Sequence, residues 1–146
     1  SIMIRMSNKI KGNLSISQVA TGEENNFRLS IYGDKGALHW SQENPNYATF
    51  SKLGKPNQII TRGGSIKQDG SFSYERVPAG HPEGYLEAFA QIYSDAADVI
   101  QNKENKNELI KILPNVNDGL HIMKFIKATV ESSNNSSVWT DLSTIK

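Results

Sequence analysis

Apolar and polar positions alternate with a period of two over residues 1–76, and residues 82–133 change to three- and four-residue spacing. The first run, Ile2-Met3-Ile4-Arg5-Met6, is followed by polar Ser7-Asn8-Lys9 and by a second run from Ile10 through Leu14 and Ile16 to Gln18. The pair predicts a hairpin that starts almost at residue 1, which points to a piece of something longer. Phe27, Leu29 and Ile31 share one face of the next strand, and Arg28, Ser30 and Tyr32 share the other. Gly33-Asp34-Lys35-Gly36 is a tight-turn signal, because glycine tolerates positive φ. A return strand over residues 37–41 puts Leu38 and Trp40 on the opposite side from His39. Two more strands are expected over residues 47–53 and 58–61, and Val138-Trp139 offers a last short one.

The helical half begins at His81-Pro82-Glu83-Gly84, where proline suits a first turn that needs no donor. Tyr85, Phe89, Ile92, Ala96, Val99 and Ile100 form one stripe, expected to pack on the sheet. Residues 101–108 read as a polar loop. Asn117 or Asp118 is the expected cap of a second helix with a stripe of Leu120, Met123, Ile126 and Val130. Strands first and helices afterwards predict an α+β fold. Its sheet is open and mainly antiparallel, with a mixed pairing left open. The helices pack on one face, and the other face is available for subunit association. Residues 1–146 are expected to form a single domain.

Composition narrows the function classes. The 146 residues carry 16 basic and 15 acidic side chains, and 12 of the basic ones are Lys. This near-neutral balance, without a basic cluster, gives no support to a nucleic-acid partner. No apolar run reaches the ~20 residues of a membrane span, and no signal peptide is visible. Cysteine is absent, which excludes disulfides and thiolate metal sites and fits a cytoplasmic location.

Candidate chemistry is sparse. Of the three histidines, His39 reads as a sheet-face residue and His121 as a helix-surface partner of Asp118. No metal-ligand spacing, nucleophile elbow or phosphate loop is present. His81 differs, because it sits at a loop-to-helix junction between Gly80 and Pro82. Ligand contact and a structural hydrogen bond are both open there. Gln18, Glu23 and Asn25 lie in or beside a Gly22 turn that presents amides and carboxylates. Such groups either solvate a turn or converge on sugar hydroxyls, which need donors and acceptors together. The connection over residues 63–80 is long for a compact domain, a length often found in functional loops.

Four segments together resemble the C-terminal domain of the Gfo/Idh/MocA oxidoreductases, the glucose-fructose oxidoreductase and inositol dehydrogenase relatives. They are residues 12–26 (GNLSISQVATGEENN), 32–40 (YGDKGALHW), 78–89 (PAGHPEGYLEAF) and 114–120 (PNVNDGL), in the family's order. The resemblance implies a parent that joins a Rossmann domain to this one. Such a parent moves hydride between NAD or NADP and a sugar or cyclitol carbon. The family's Glu-Lys-Pro lysine and its aspartate–histidine pair have no match here, so the resemblance implies no catalytic residue and no metal in this chain, which should be inactive alone. It implies a substrate pocket wall with His81 at its mouth, and Gln18, Glu23 and Asn25 on the wall or beside it. It also implies a homo-oligomer formed through the sheet. A non-catalytic sugar-binding or regulatory module and a purely structural dimerisation domain are the alternatives.

Overall fold

The structure is a computed structural model that describes residues 1–63, 75–104 and 106–145. Six strands come first: β1 (Ile2–Arg5), β2 (Lys11–Leu14), β3 (Arg28–Tyr32), β4 (Gly36–Ser41), β5 (Tyr47–Lys52) and β6 (Gln58–Thr61). Helices α1 (Tyr85–Ile100), α2 (Lys106–Ile112) and α3 (Val116–Asn134) and a 3₁₀ turn over Leu142–Thr144 follow. The fold is α+β with open antiparallel sheets, one of two strands and one of four. Much of the long connection, including Gly64 and Asp69-Gly70, lies outside the described residues. The chain divides into two compact units, residues 1–20 with 108–146 and residues 21–107.

In the first unit, β1 and β2 pair with Ile2 opposite Leu14 and Arg5 opposite Lys11. The hairpin closes through Met6 N–H donating to the Ile10 carbonyl at 2.9 Å. β2 stops at Leu14, short of the run to Gln18 that alternation predicts. Leu109, Ala128 and Ile145 are the buried apolar residues among those described, and all three belong to this unit. Arg5 stacks over Trp139, 4.0 Å from guanidinium carbon to ring centroid, which ties the hairpin to the tail. Val138-Trp139 is not a strand. Ser132 Oγ donates to the Val138 carbonyl at 2.7 Å, and Asp141 then caps the 3₁₀ turn. Local side-chain bonds of this kind compete with a ladder. Asn115, not Asn117 or Asp118, caps α3: its Oδ1 accepts from Asn117 N at 2.8 Å. Asp118 Oδ2 returns to Asn115 N at 2.8 Å, completing a capping box.

The second unit is an antiparallel meander in the order β3-β4-β5-β6, followed by α1. Its register puts Ser30, His39, Thr49 and Ile59 in one cross-strand row, and Ile31, Leu38, Phe50 and Gln58 in another. One face therefore carries Ser30, Tyr32, His39, Thr49 and Ser51, and the other Leu29, Ile31, Leu38, Trp40 and Phe50. The two-faced alternation is as the sequence predicts. Gly36 is needed where β4 lies against β5, since a Cβ there would lie 2.6 Å from the Ser51 carbonyl oxygen. α1 starts at Tyr85, three residues after the proline that heads the sequence signal. The α1 residues Tyr85, Phe89 and Ile92 and the α3 stripe Leu120, Met123, Ile126 and Val130 stand about half exposed or more. Amphipathic spacing marks a face that seeks cover, and it does not say what covers it.

Candidate functional site

Arg62, directly after β6, organises the segment over residues 76–84. Its Nε donates to Asn46 Oδ1 at 3.2 Å. Nη1 donates to the Val77 carbonyl at 3.2 Å and pairs with Glu83 Oε2. Nη2 donates to the Pro78 carbonyl at 3.4 Å and to the His81 carbonyl. A guanidinium has five N–H donors in a planar fork, and here they meet five acceptors. The Arg62 and Glu83 side chains are only 18% and 9% exposed, so solvent screens this ion pair little.

Glu83 is held from the other side as well. Asn46 grips its backbone twice, accepting from Glu83 N at 3.0 Å and donating through Nδ2 to its carbonyl at 2.9 Å. Glu83 Oε1 accepts from Arg76 N at 2.9 Å, so both carboxylate oxygens are engaged. The Arg76 side chain reaches Gln91 Oε1 at 3.1 Å, and Gln91 donates to the buried Asp95 at 2.7 Å. The entry to α1 is thus joined both to the end of the sheet and to the helix itself. Glu87 Oε2 accepts from Gly84 N at 2.9 Å. That bond holds the Glu87 carboxyl below its ordinary range.

His81 rides on this frame. Its backbone N–H donates to the Pro78 carbonyl at 3.2 Å, and Gly80 at φ +85° makes the turn between them. The ring Nδ1 lies 3.2 Å from the same carbonyl oxygen. A carbonyl only accepts, so the bond requires the proton on Nδ1. In the neutral ring that leaves Nε2 as an acceptor, and the ring is exposed. The structural bond that the sequence leaves open is thus made through Nδ1, and it does not occupy Nε2.

The other candidates sit in plainer settings. Glu23 and Asn25 share one exposed turn, where Glu23 pairs with Arg28 at 3.8 Å and the Asn25 carbonyl accepts from Phe27 N at 2.7 Å. Beside them Asn26 Oδ1 is enclosed without a partner among the described residues. Gln18 is exposed and belongs to the first unit, whereas Glu23, Asn25 and His81 belong to the second. His39 is a sheet-face residue, with Nδ1 3.0 Å from Ser30 Oγ and its ring edge-on to Tyr32 at 5.3 Å. No cluster of three metal-ligating side chains occurs among the described residues. No helix there is long and apolar enough to cross a membrane.

Neither glycine-rich segment among the described residues is a Rossmann-type phosphate turn. Gly33 to Gly36 joins two antiparallel strands, and Gly80 to Gly84 enters its helix from irregular chain. The glycine turn of a Rossmann-type site joins a strand to a helix. Nothing in the sequence singles out Asn46 or Arg62, and Glu83 stands there only as part of the segment that opens the helical half. Their partners lie 15 to 37 positions away, and no local pattern announces them.

Comparison with known proteins accords with the fold. The chain is 30% identical over 143 residues to the uncharacterized oxidoreductase YfiI of Bacillus subtilis, covering 96% of this chain and 36% of the relative. An oxidoreductase structure from Sinorhizobium meliloti is 41% identical with a TM-score of 0.77, covering 86% of this chain and 35% of that one. An inositol dehydrogenase homolog from Azotobacter vinelandii, solved with NADH and myo-inositol, is 27% identical with a TM-score of 0.85. There the match covers 95% of this chain and 38% of that one. The chain thus spans little more than a third of the length of these relatives. Residues 1–142 match the family model described as the oxidoreductase family, C-terminal alpha/beta domain. This chain belongs to the Gfo/Idh/MocA oxidoreductase family, as its C-terminal domain.

Proposed function

We propose that the chain is the substrate-side domain of an NAD- or NADP-dependent oxidoreductase that oxidises a CH–OH group of a sugar or cyclitol in the cytoplasm. In this reading it walls the pocket, mediates homo-oligomerisation and is inactive alone. The observation that carries the reading is the seated His81, whose Nδ1 is bound to the Pro78 carbonyl while Nε2 is left to accept. A hydroxyl donates to such a nitrogen, and a polyol offers several. The inositol dehydrogenase homolog, whose structure holds NADH and myo-inositol, supports that substrate class.

Glu23, Asn25 and Gln18 supply further acceptors and donors for hydroxyls on the wall or at the interface beside it. The face with Ser30, Tyr32, His39 and Thr49 is the proposed surface for a second copy, polar enough to remain wet until paired. Two-electron oxidation of the carbon needs a base and a nucleotide site held by the rest of the parent, so the described residues bind and orient. Orientation carries much of the rate when the reacting atoms must align.

The test is a panel of cyclitols and aldoses with NAD⁺ or NADP⁺ and the intact parent protein, followed by nicotinamide absorbance. One class of polyol is expected to support reduction, and His81→Ala to raise its KM by about tenfold while costing no more stability than the one Nδ1 bond, about 1 kcal/mol. No reduction across the panel, or a KM indifferent to His81→Ala, overturns the reading.

A further inference from the structure

Arg62 is too far along the chain to be part of the His81 motif, yet its fork reaches every part of the turn that carries that histidine. Two of its acceptors are the Pro78 and His81 carbonyls. The Pro78 oxygen is also the atom on which His81 Nδ1 rests. Moving that carbonyl therefore moves the ring, and losing it frees the tautomer. Val77 and Glu83 fix the segment on either side, and Asn46 fixes Glu83 from the sheet. Gly63, the next residue, adds a steric wall. A Cβ built on it would lie 3.0 Å from both Ala79 Cα and Ala79 Cβ, so backbone and turn are already close.

Resting on the substrate reading above, we infer that Arg62, backed by Asn46 and Glu83, is a positioning residue for substrate. It holds the turn so that His81 presents Nε2 to a substrate hydroxyl. A lysine keeps the charge and loses the fork, so it can satisfy Glu83 and not the carbonyls as well. A merely structural arginine would tolerate that exchange without altering substrate affinity.

The experiment uses the intact parent protein with myo-inositol and NAD⁺ as probes, and compares Arg62→Lys, Asn46→Ala and His81→Ala. Arg62→Lys is expected to raise the KM for the polyol about tenfold, with kcat within about threefold and the KM for NAD⁺ unchanged. Amide exchange over residues 78–83 should accelerate by a similar factor, while β4 and β5 keep their protection. Should Arg62→Lys not fold, Asn46→Ala carries the same expectations, since it removes the grip on Glu83 and leaves both charges. If His81→Ala raises KM and the clamp variants do not, the inference falls and the substrate reading stands. If His81→Ala is silent, the substrate reading falls and the inference with it. Unchanged exchange over residues 78–83 in Arg62→Lys overturns the inference whatever the probes do.

Discussion

Gly63→Ala tests the seating of the His81 turn without touching a charge or a hydrogen bond. Gly63 has φ +69°, and an L-residue pays about 1–2 kcal/mol to adopt that region. The added Cβ would also meet Ala79 Cα and Cβ at 3.0 Å and Ala79 N at 3.2 Å. Backbone atoms cannot rotate away, so the turn or β6 must shift, at a typical overpacking cost of about 1–3 kcal/mol. The sum is roughly 2–5 kcal/mol. With a urea slope of about 2 kcal/mol/M, the midpoint falls by roughly 1–2.5 M. Urea unfolding followed by tryptophan fluorescence reads this directly. Adding Ala79→Gly should restore about 1 kcal/mol at most, because the Cα and N contacts remain. Gly63→Asn should cost less than Gly63→Ala, since Asn visits the left-handed region more readily. A Gly63→Ala protein within about 0.5 kcal/mol of its parent would refute the close approach of residues 63 and 79.

Two further outcomes follow from the helix starts. The Glu87 carboxyl is held below its ordinary range by the Gly84 N–H, so its folded value is depressed and its stabilisation is present above the unfolded value. Glu87→Gln should therefore be the less stable form at neutral pH, and the gap should close as pH falls through the folded value. Thermal melts from pH 7 to pH 2 check this, and a gap that widens on acidification contradicts the sign. Asn115→Ala should cost about 1 kcal/mol through loss of the α3 cap. Asn117→Ala should cost little, and paired melts showing the reverse order would return the cap to Asn117.

The sequence made the sheets legible because strand pairing here is local. Glycine turns and strict alternation fix which residues oppose each other, as in the row Ser30, His39 and Thr49. The α2 helix was hidden, since seven residues of which three are Lys or Glu carry too short a stripe to stand out from a polar stretch. Asn115 was overlooked because the first apolar residue of α3, Val116, precedes the regular stripe that begins at Leu120. His81 was visible through its glycine and proline neighbours, which mark unusual backbone. Arg62 was not, because its role depends on bringing together carbonyls that only tertiary closure assembles. The amphipathic stripes predicted two helices correctly, and the expectation that the α1 stripe packs on the sheet reaches for a partner that spacing along one chain does not encode.

The meander also has a consequence for the order of assembly. β4, β5 and β6 each pair with the strand immediately before them, so loop closure at every step is short and entropically cheap. A ribosome that has released residue 61 has supplied everything the four strands need to zip together. Asn46 and Arg62 would then wait on a finished ribbon until Glu83 emerges, 37 positions after Asn46. An intermediate with the ribbon formed and residues 76–84 still loose is the species that a quenched refolding experiment should trap.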